Sequence, residues 1–308
     1  MPEREPLRRF AHPRYWPTWV GVGLLRLLAL LPRPLAAPLG SALGSLLYAL
    51  HRPRRRVVRT NLARCFPELD ARSRERLVRR HFRAFGRSAI DVGRAWWSGP
   101  TRLRRLVRLR DRHHLDAALR AGRNVILLAP HFLGLEIGGV RLSLESPLVS
   151  VFHHPKNRLL RELMWRGRTR FGLDLTEYKR SFMPLVRAVK AGTPLYYLPD
   201  QDAGRRHAVF APFFGIPAAT FTALSRLARM TDAVVIPCVT YERRWPGGYE
   251  TVFFPPLAGF PGTDEAGDAG RMNAEIERAV RLRPEQYFWL HKRFKTRPAG
   301  EPPFYPAD

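Results

Sequence analysis

The sequence predicts an α/β fold: a mixed, largely parallel sheet flanked by helices, with an N-terminal membrane-associated helical segment before it. Three observations predict this. Short β-rich runs alternate with helical periodicities after residue 110. An Arg-rich stretch from Val57 to Trp97 repeats its apolar residues at helical spacing. The first fifty residues hold two apolar runs broken by arginine and proline. At 308 residues the chain can bury one large core, with or without a helical appendage.

In chain order, a basic leader of fifteen residues precedes the apolar run Trp16 to Leu31, interrupted by Arg26. After Arg33 a second run, Pro34 to Leu50, carries no charge. Each is shorter than the ~20 residues that cross a bilayer readily, so a tilted span, a shallow hairpin and two interfacial helices all remain open. The basic block from His51 to Arg56 argues against a cleaved signal peptide and for anchoring at a charged surface. Residues 1–56 are therefore read as a membrane-attachment segment and 57–110 as an amphipathic helical region. Within the latter, Leu77, Phe82, Phe85 and Val92 mark the apolar face. Residues 111–308 are read as the α/β core. Its expected strands are Val125–Ala129, Leu148–Phe152, Pro194–Leu198, Ala233–Thr240 and Tyr249–Phe254, with helices near 131–144, 157–171, 181–191 and 219–230.

Composition narrows the partners. The chain carries 53 Lys plus Arg against 26 Asp plus Glu, a formal charge of +27. Such a field attracts phosphates, anionic membranes or acidic proteins, and charge alone does not choose among them. The two cysteines, Cys65 and Cys238, are far apart and form no CxxC pair. That usage suggests neither a zinc site nor a disulfide framework, and it fits a reducing compartment.

The residues that could carry chemistry fall at strand tips, where ligands collect in open α/β sheets. The run Asn124 to Leu128 ends in Ala129-Pro130, and His131 follows at once, with Glu136 five residues on. Proline cannot donate to a ladder and ends the strand. On a regular helix the two side chains would lie about 140° apart. A turn at His131, eased by Gly134, would let the Glu136 carboxylate reach back to the imidazole. A carboxylate on one ring nitrogen fixes the tautomer and leaves the other nitrogen as a base. The spacing alone is weak, since ten histidines in a chain with acids at about one position in twelve give about one such match by chance. A second strand tip carries Asp200, Gln201, Asp202 and Gly204, where a turn with capping carboxylates is the plain alternative. Arg166, Arg168 and Arg170 follow Asn157 on a helical stretch and could bring a guanidinium to the site.

These motifs resemble the bacterial lipid A late acyltransferases, the lauroyl and myristoyl transferases within the wider lysophospholipid-acyltransferase group. His131-Phe-Leu-Gly-Leu-Glu136 matches the family's His-x4-acid block. Arg166 to Arg170 resembles its Gly-Arg segment, and Pro199 to Gly204 its Pro-Asp-x-Asp-x-Gly block. The stretch from Val209 to Gly215 also fits. The most distinctive run extends from Pro284 through Tyr287, Trp289 and His291 to Pro298. Ala203 and the His153-His154 pair depart from the pattern, the pair at a place that could touch donor or acceptor preference.

The resemblance implies transfer of a fatty acyl chain from acyl carrier protein, a co-substrate, to a hydroxyl of a phosphorylated, Kdo-bearing lipid A precursor. No cofactor and no metal are required. His131 would be the base, Glu136 its orienting partner and Arg168 a charge stabiliser, with backbone amides as the rival for that last role. Asp200, Asp202, Arg170 and Asn157 are the candidates for substrate contacts. The implied location is the cytoplasmic face of the bacterial inner membrane, with the membrane surface as a further partner. Another glycolipid acceptor, such as a mannosylated phosphatidylinositol, is the alternative within enzymes. A non-catalytic basic protein is the alternative outside them, although no nucleic-acid motif is present.

Overall fold

The computed structural model describes residues 5–152, 155–177, 182–206, 208–244 and 247–306. His153 and His154 lie outside the described residues. Among the described residues, two short 3-10 turns (Leu7–Phe10 and Pro13–Tyr15) lead into four α-helices: α1 (Trp16–Leu30), α2 (Arg33–Leu50), α3 (Arg52–Cys65) and α4 (Ala71–Trp97). Pro32 cannot continue a helix and separates α1 from α2, while Pro34 fits the first turn of α2. Asp70 caps α4 by accepting from the Ser73 amide at 2.8 Å.

Both α1 and α2 lie along α4. The α2 contact depends on glycine. A Cβ on Gly40 would sit 2.7 Å from the Arg87 Cα, and Gly44 and Gly86 meet backbone as closely. Their outward faces stay apolar and exposed: Val20, Leu24 and Leu27 on α1, and Leu35, Leu39, Leu43 and Leu46 on α2. Among the described residues no helix is long and apolar enough to cross a membrane.

The chain then alternates. After α5 (Pro100–Leu106) come β1 (Val107–Arg110), α6 (His113–Arg120), β2 (Asn124–Leu128), α7 (Leu135–Leu142), β3 (Leu148–Phe152), α8 (Arg158–Arg168), β4 (Leu173–Glu177), α9 (Met183–Lys190) and β5 (Leu195–Tyr197). A hairpin of β6 (Ala208–Phe213) and β7 (Ile216–Phe221) is followed by α10 (Ala223–Thr231), β8 (Ala233–Glu242), β9 (Tyr249–Phe253) and α11 (Glu265–Leu282). Seven strands form one sheet in the order β1-β9-β8-β2-β5-β3-β4. Only β8 and β9 pair antiparallel within it, so the sheet is mixed and largely parallel, as the sequence predicts.

The central strands are buried on both faces. In β2 the side chains of Val125 and Leu127 join one core cluster, and those of Ile126 and Leu128 the other. The second cluster also takes in Val57, Val58 and Leu62 of α3 and Leu77, Val78 and Phe82 of α4. The amphipathic region is therefore built into the core, and the boundary expected at residue 110 is not a break in packing. The strand β1 lies on the helical side of that boundary, yet it pairs with β9.

Three pieces of the sheet architecture differ from expectation. The edge strands β1 and β4 are short and charged, and the β6–β7 hairpin was not foreseen. Residues 219–221 finish β7, and the helix expected to begin at 219 starts at Ala223. The hairpin turns on Phe214 and Gly215, both at positive φ (53° and 71°), the geometry that matches the twist of paired strands.

Candidate active site

The register of the sheet builds the site. In the parallel pair β2–β5, Leu128 lies opposite Tyr197. Three residues beyond each partner are His131 and Asp200, so the two strand tips deliver them side by side. The His131 amide donates to Asp200 Oδ2 at 2.8 Å, and His131 Nδ1 lies 2.6 Å from Asp200 Oδ1. The carboxylate thus binds the ring and the backbone of the same residue. Nε2 of His131 has no hydrogen-bond partner among the described residues. Asp200 is buried, and burial pushes its carboxyl up. The His131 charge and hydrogen bonds outweigh this and hold it below the usual carboxylate range.

This corrects the expected role of Glu136. Its carboxylate does not reach the imidazole. Glu136 stands in the first turn of α7 and receives Arg168 on both oxygens, Nε at 3.0 Å to each and Nη2 at 2.6 Å to Oε2. The Trp96 indole donates to Oε1 at 2.7 Å. Burial raises the Glu136 carboxyl, but the Arg168 charge and these bonds more than offset it, and the net shift is downward. Arg168 is correspondingly held more firmly protonated: burial opposes its charge, and Glu136 outweighs burial.

His131 and Glu136 line one cavity of about 540 Å³ between α1, α4 and the start of α7. Among the described residues they are the only titratable groups in its lining, which is otherwise dominated by side chains such as Val22, Leu25, Val92, Leu160 and Phe288. An apolar cavity with a few convergent polar groups is the form of a small-molecule site. Arg168 does not line it. The guanidinium sits behind Glu136 and borders a separate small space with Tyr196 and Leu175. The charge stabiliser expected at the reacting atoms therefore acts on Glu136 instead.

The α7 end beside His131 leaves backbone donors available. The Gly134 N–H makes no hydrogen bond to a described residue, and its carbonyl accepts from Gly138 at 2.9 Å. Glycine is required there, because a Cβ would lie 2.5 Å from the Thr240 carbonyl oxygen.

The remaining expected substrate contacts hold the scaffold. Asn157 caps α8, accepting from Leu160 N at 3.1 Å, and reaches Thr18 at 2.8 Å. Arg170 donates to the carbonyls of Trp96 and Ser98. Asp202 accepts from the amide and hydroxyl of Thr296, at 3.0 and 2.9 Å. None of the three lines the His131 cavity.

Two contributors escaped the sequence reading. Trp96 donates to Glu136 from α4, and no local pattern marks it. The Tyr287–His291 run stood out in the sequence without a role. Phe132 and Tyr287 form a β-bridge, Leu133 N donates to Gln286 O at 2.8 Å, and Phe288 N to His131 O at 2.9 Å. The run therefore straps the segment that carries the base.

Comparison with known proteins shows the family. A family model described as bacterial lipid A biosynthesis acyltransferase matches residues 3–296. The lipid A biosynthesis lauroyltransferase of Escherichia coli (strain K12) is 35% identical over 295 residues, covering 96% of each chain. The palmitoleoyltransferase of the same organism is 34% identical over 306 residues, covering 99% of each. Its myristoyltransferase is 30% identical over 295 residues, covering 96% of this chain and 91% of the relative. The chain belongs to the bacterial lipid A biosynthesis acyltransferase family and is an acyltransferase.

Proposed function

We propose that this acyltransferase moves a fatty acyl chain from acyl carrier protein to a hydroxyl of a phosphorylated, Kdo-bearing lipid A precursor, with His131 as general base. One observation carries the reading: an imidazole fixed at Nδ1 by Asp200, with Nε2 unpaired among the described residues, belongs to a residue that lines an apolar cavity. The acceptor hydroxyl gives its proton to Nε2 as its oxygen attacks the thioester carbonyl. The C–O bond forms, the C–S bond breaks, and the proton passes from the imidazolium to the departing thiolate. Asp200 fixes the tautomer and stabilises the imidazolium, the division of labour of a Ser-His-Asp triad in which the substrate supplies the hydroxyl.

Glu136, kept ionised by Arg168, adds negative potential beside the forming imidazolium and an acceptor for the acceptor sugar. The oxyanion falls to the amino-terminal end of α7, where the helix dipole favours negative charge. The cavity receives the acyl chain.

Membrane association fits the surface. The exposed leucines of α1 and α2 form two apolar ridges flanked by arginines, suited to lying in a lipid interface. The net charge of +27 favours anionic lipid, the acceptor's phosphates and an acidic carrier protein alike. The assigned place is the cytoplasmic face of the inner membrane.

The test is acyl transfer by the purified chain from lauroyl-, myristoyl- and palmitoleoyl-charged carrier protein to a Kdo-bearing lipid A precursor, read by mass spectrometry. Product with wild type and none with His131→Ala supports the reading. No product from any donor overturns the assignment of donor and acceptor.

A further inference from the structure

The Pro284–Pro298 run is the most distinctive stretch of the sequence, and general-base chemistry at His131 leaves its histidine unused. We propose that His291 is a positioning residue for the transfer reaction, holding the Asp200 loop so that Asp200 keeps His131 oriented. The proposal deepens the reading of His131 as the base and rests on it.

The geometry is specific. His291 Nε2 accepts a hydrogen bond from the Asp202 amide at 3.0 Å, two residues beyond the carboxylate that binds His131. An accepting Nε2 requires the proton on Nδ1 and a neutral ring. Burial supplies that state by pushing the His291 pKa down to about 4, with Arg293 and His131 acting the same way and Asp200 and Asp202 opposing. The backbone that carries the ring is anchored in turn. Asn61 donates to the His291 carbonyl at 3.0 Å and to that of Trp289 at 2.8 Å.

The loop is gripped elsewhere by the same carboxy-terminal segment. Thr296 binds the Asp202 carboxylate, and the Tyr287 hydroxyl reaches the Asp200 carbonyl at 3.4 Å. His291, His131 and Asp200 border one small space of about 10 Å³, so the two rings and the carboxylate pack as a unit. His291, like Tyr287, bonds the loop backbone between the two aspartates, and its bond at 3.0 Å is the shorter of the two. Losing that bond frees the Asp202 amide and lets Asp200 drift by a fraction of an ångström to an ångström. A misplacement of that size at a catalytic pair costs about a hundredfold at the upper end.

The experiment compares full-length wild type with His291→Phe, His291→Gln, Asp200→Asn and the double variant Asp200→Asn/His291→Phe. Turnover is measured with carrier-protein donors, and hydrogen exchange is followed in the segment 199–204. The expected result is a fall in kcat of about tenfold or more for His291→Phe, with the donor KM changed less than about twofold. His291→Gln, whose amide oxygen can accept from Asp202, recovers most of the loss. The double variant is no slower than Asp200→Asn alone, because both act through one pair. Exchange in 199–204 rises in His291→Phe, a readout that needs no substrate. An unchanged kcat, full additivity in the double variant, or unchanged exchange overturns the proposal. Wild type inactive with every donor would instead overturn the donor reading, and the exchange measurement would still decide the role of His291.

Discussion

Nδ1 of His131 lies 2.6 Å from Oδ1 of Asp200, across 69 residues of sequence, while Glu136, five residues from His131, pairs with Arg168. The orienting carboxylate thus arrives from the neighbouring parallel strand, and the nearer acid is committed to an arginine. This arrangement assigns different consequences to the loss of each acid.

Asp200→Asn keeps the shape of the side chain but offers an amide where the imidazole needs a carboxylate. The imidazolium formed in the transition state loses its counter-charge, and the tautomer is no longer fixed. Turnover should drop by about 10²–10⁴, with little change in the donor KM. Steady-state acyl transfer by the purified variant is the measurement. Retention of wild-type kcat would remove Asp200 from the chemistry.

Glu136 and Arg168 should behave as one unit. Their side chains are 15% and 23% exposed, so each charge is largely withdrawn from water and depends on the other. Glu136→Gln or Arg168→Met strands the remaining charge. A fully buried pair would cost about 3–5 kcal/mol on losing one partner, and partial exposure reduces this to about 2 kcal/mol or so. The double variant Glu136→Gln/Arg168→Met should be no less stable than either single one. Chemical denaturation of the three variants tests the coupling, and additive losses would show that the two residues act independently.

How far the sequence foretold this site depends on the distance over which the information acts. The strands β2, β3, β5, β8 and β9 were legible because buried strands leave continuous apolar runs between turn signals. The edge strands β1, Val-Arg-Leu-Arg, and β4, Leu-Asp-Leu-Thr-Glu, carry charge and face solvent on one side, so they leave no such run. Prolines at 212 and 217 masked the β6–β7 hairpin, which pairs outside the main sheet. His131 was legible from the proline-ended strand before it. Its partner was not, because pairing of His131 with Asp200 follows from β2 lying beside β5, a fact of strand order. Trp96 reached Glu136 by the same kind of long-range packing.

The leucine ridges on α1 and α2 predict a separation of binding from folding. Leu39 and Leu43 are 49% and 41% exposed, and the α2 contact with α4 runs through glycines on another face. Leu39→Asp/Leu43→Asp should therefore leave the melting temperature nearly unchanged, within the range of ordinary surface substitutions. Each leucine that enters lipid contributes about 1.5–3 kcal/mol, so losing two should weaken vesicle binding about a hundredfold or more. Co-sedimentation with phosphatidylglycerol vesicles measures this. Equal sedimentation of the variant and wild type would place the membrane face elsewhere.

A buried histidine couples the stability of the site to acid. His81 on α4 is fully buried, with Nδ1 donating to the Glu285 carbonyl at 3.0 Å and Nε2 without a hydrogen-bond partner among the described residues. Burial lowers its pKa to about 4, against about 6.5 in the unfolded chain. Between these values the unfolded chain binds the proton and the folded one does not. Stability is therefore whole above about pH 6.5 and is lost as pH falls toward about 4, with a limiting slope of about 1.4 kcal/mol per unit for one such group. His291 acts in the same direction. The carboxyls of Asp200 and Glu136 are shifted downward, so their contribution is lost as pH falls from the ordinary carboxylate range toward their lower folded values. The window from pH 6.5 to 5 thus reports the histidines. Urea midpoints across that window should fall steeply for wild type and less steeply for His81→Gln, and equal slopes would remove His81 as a cause. The effect should reach the site, because Glu285 directly precedes the Gln286–Phe288 segment that straps His131 and Leu133. The protection factors of amides at residues 284–290, corrected for the intrinsic pH dependence of exchange, should accordingly fall on acidification in wild type before the global transition, and by less in His81→Gln.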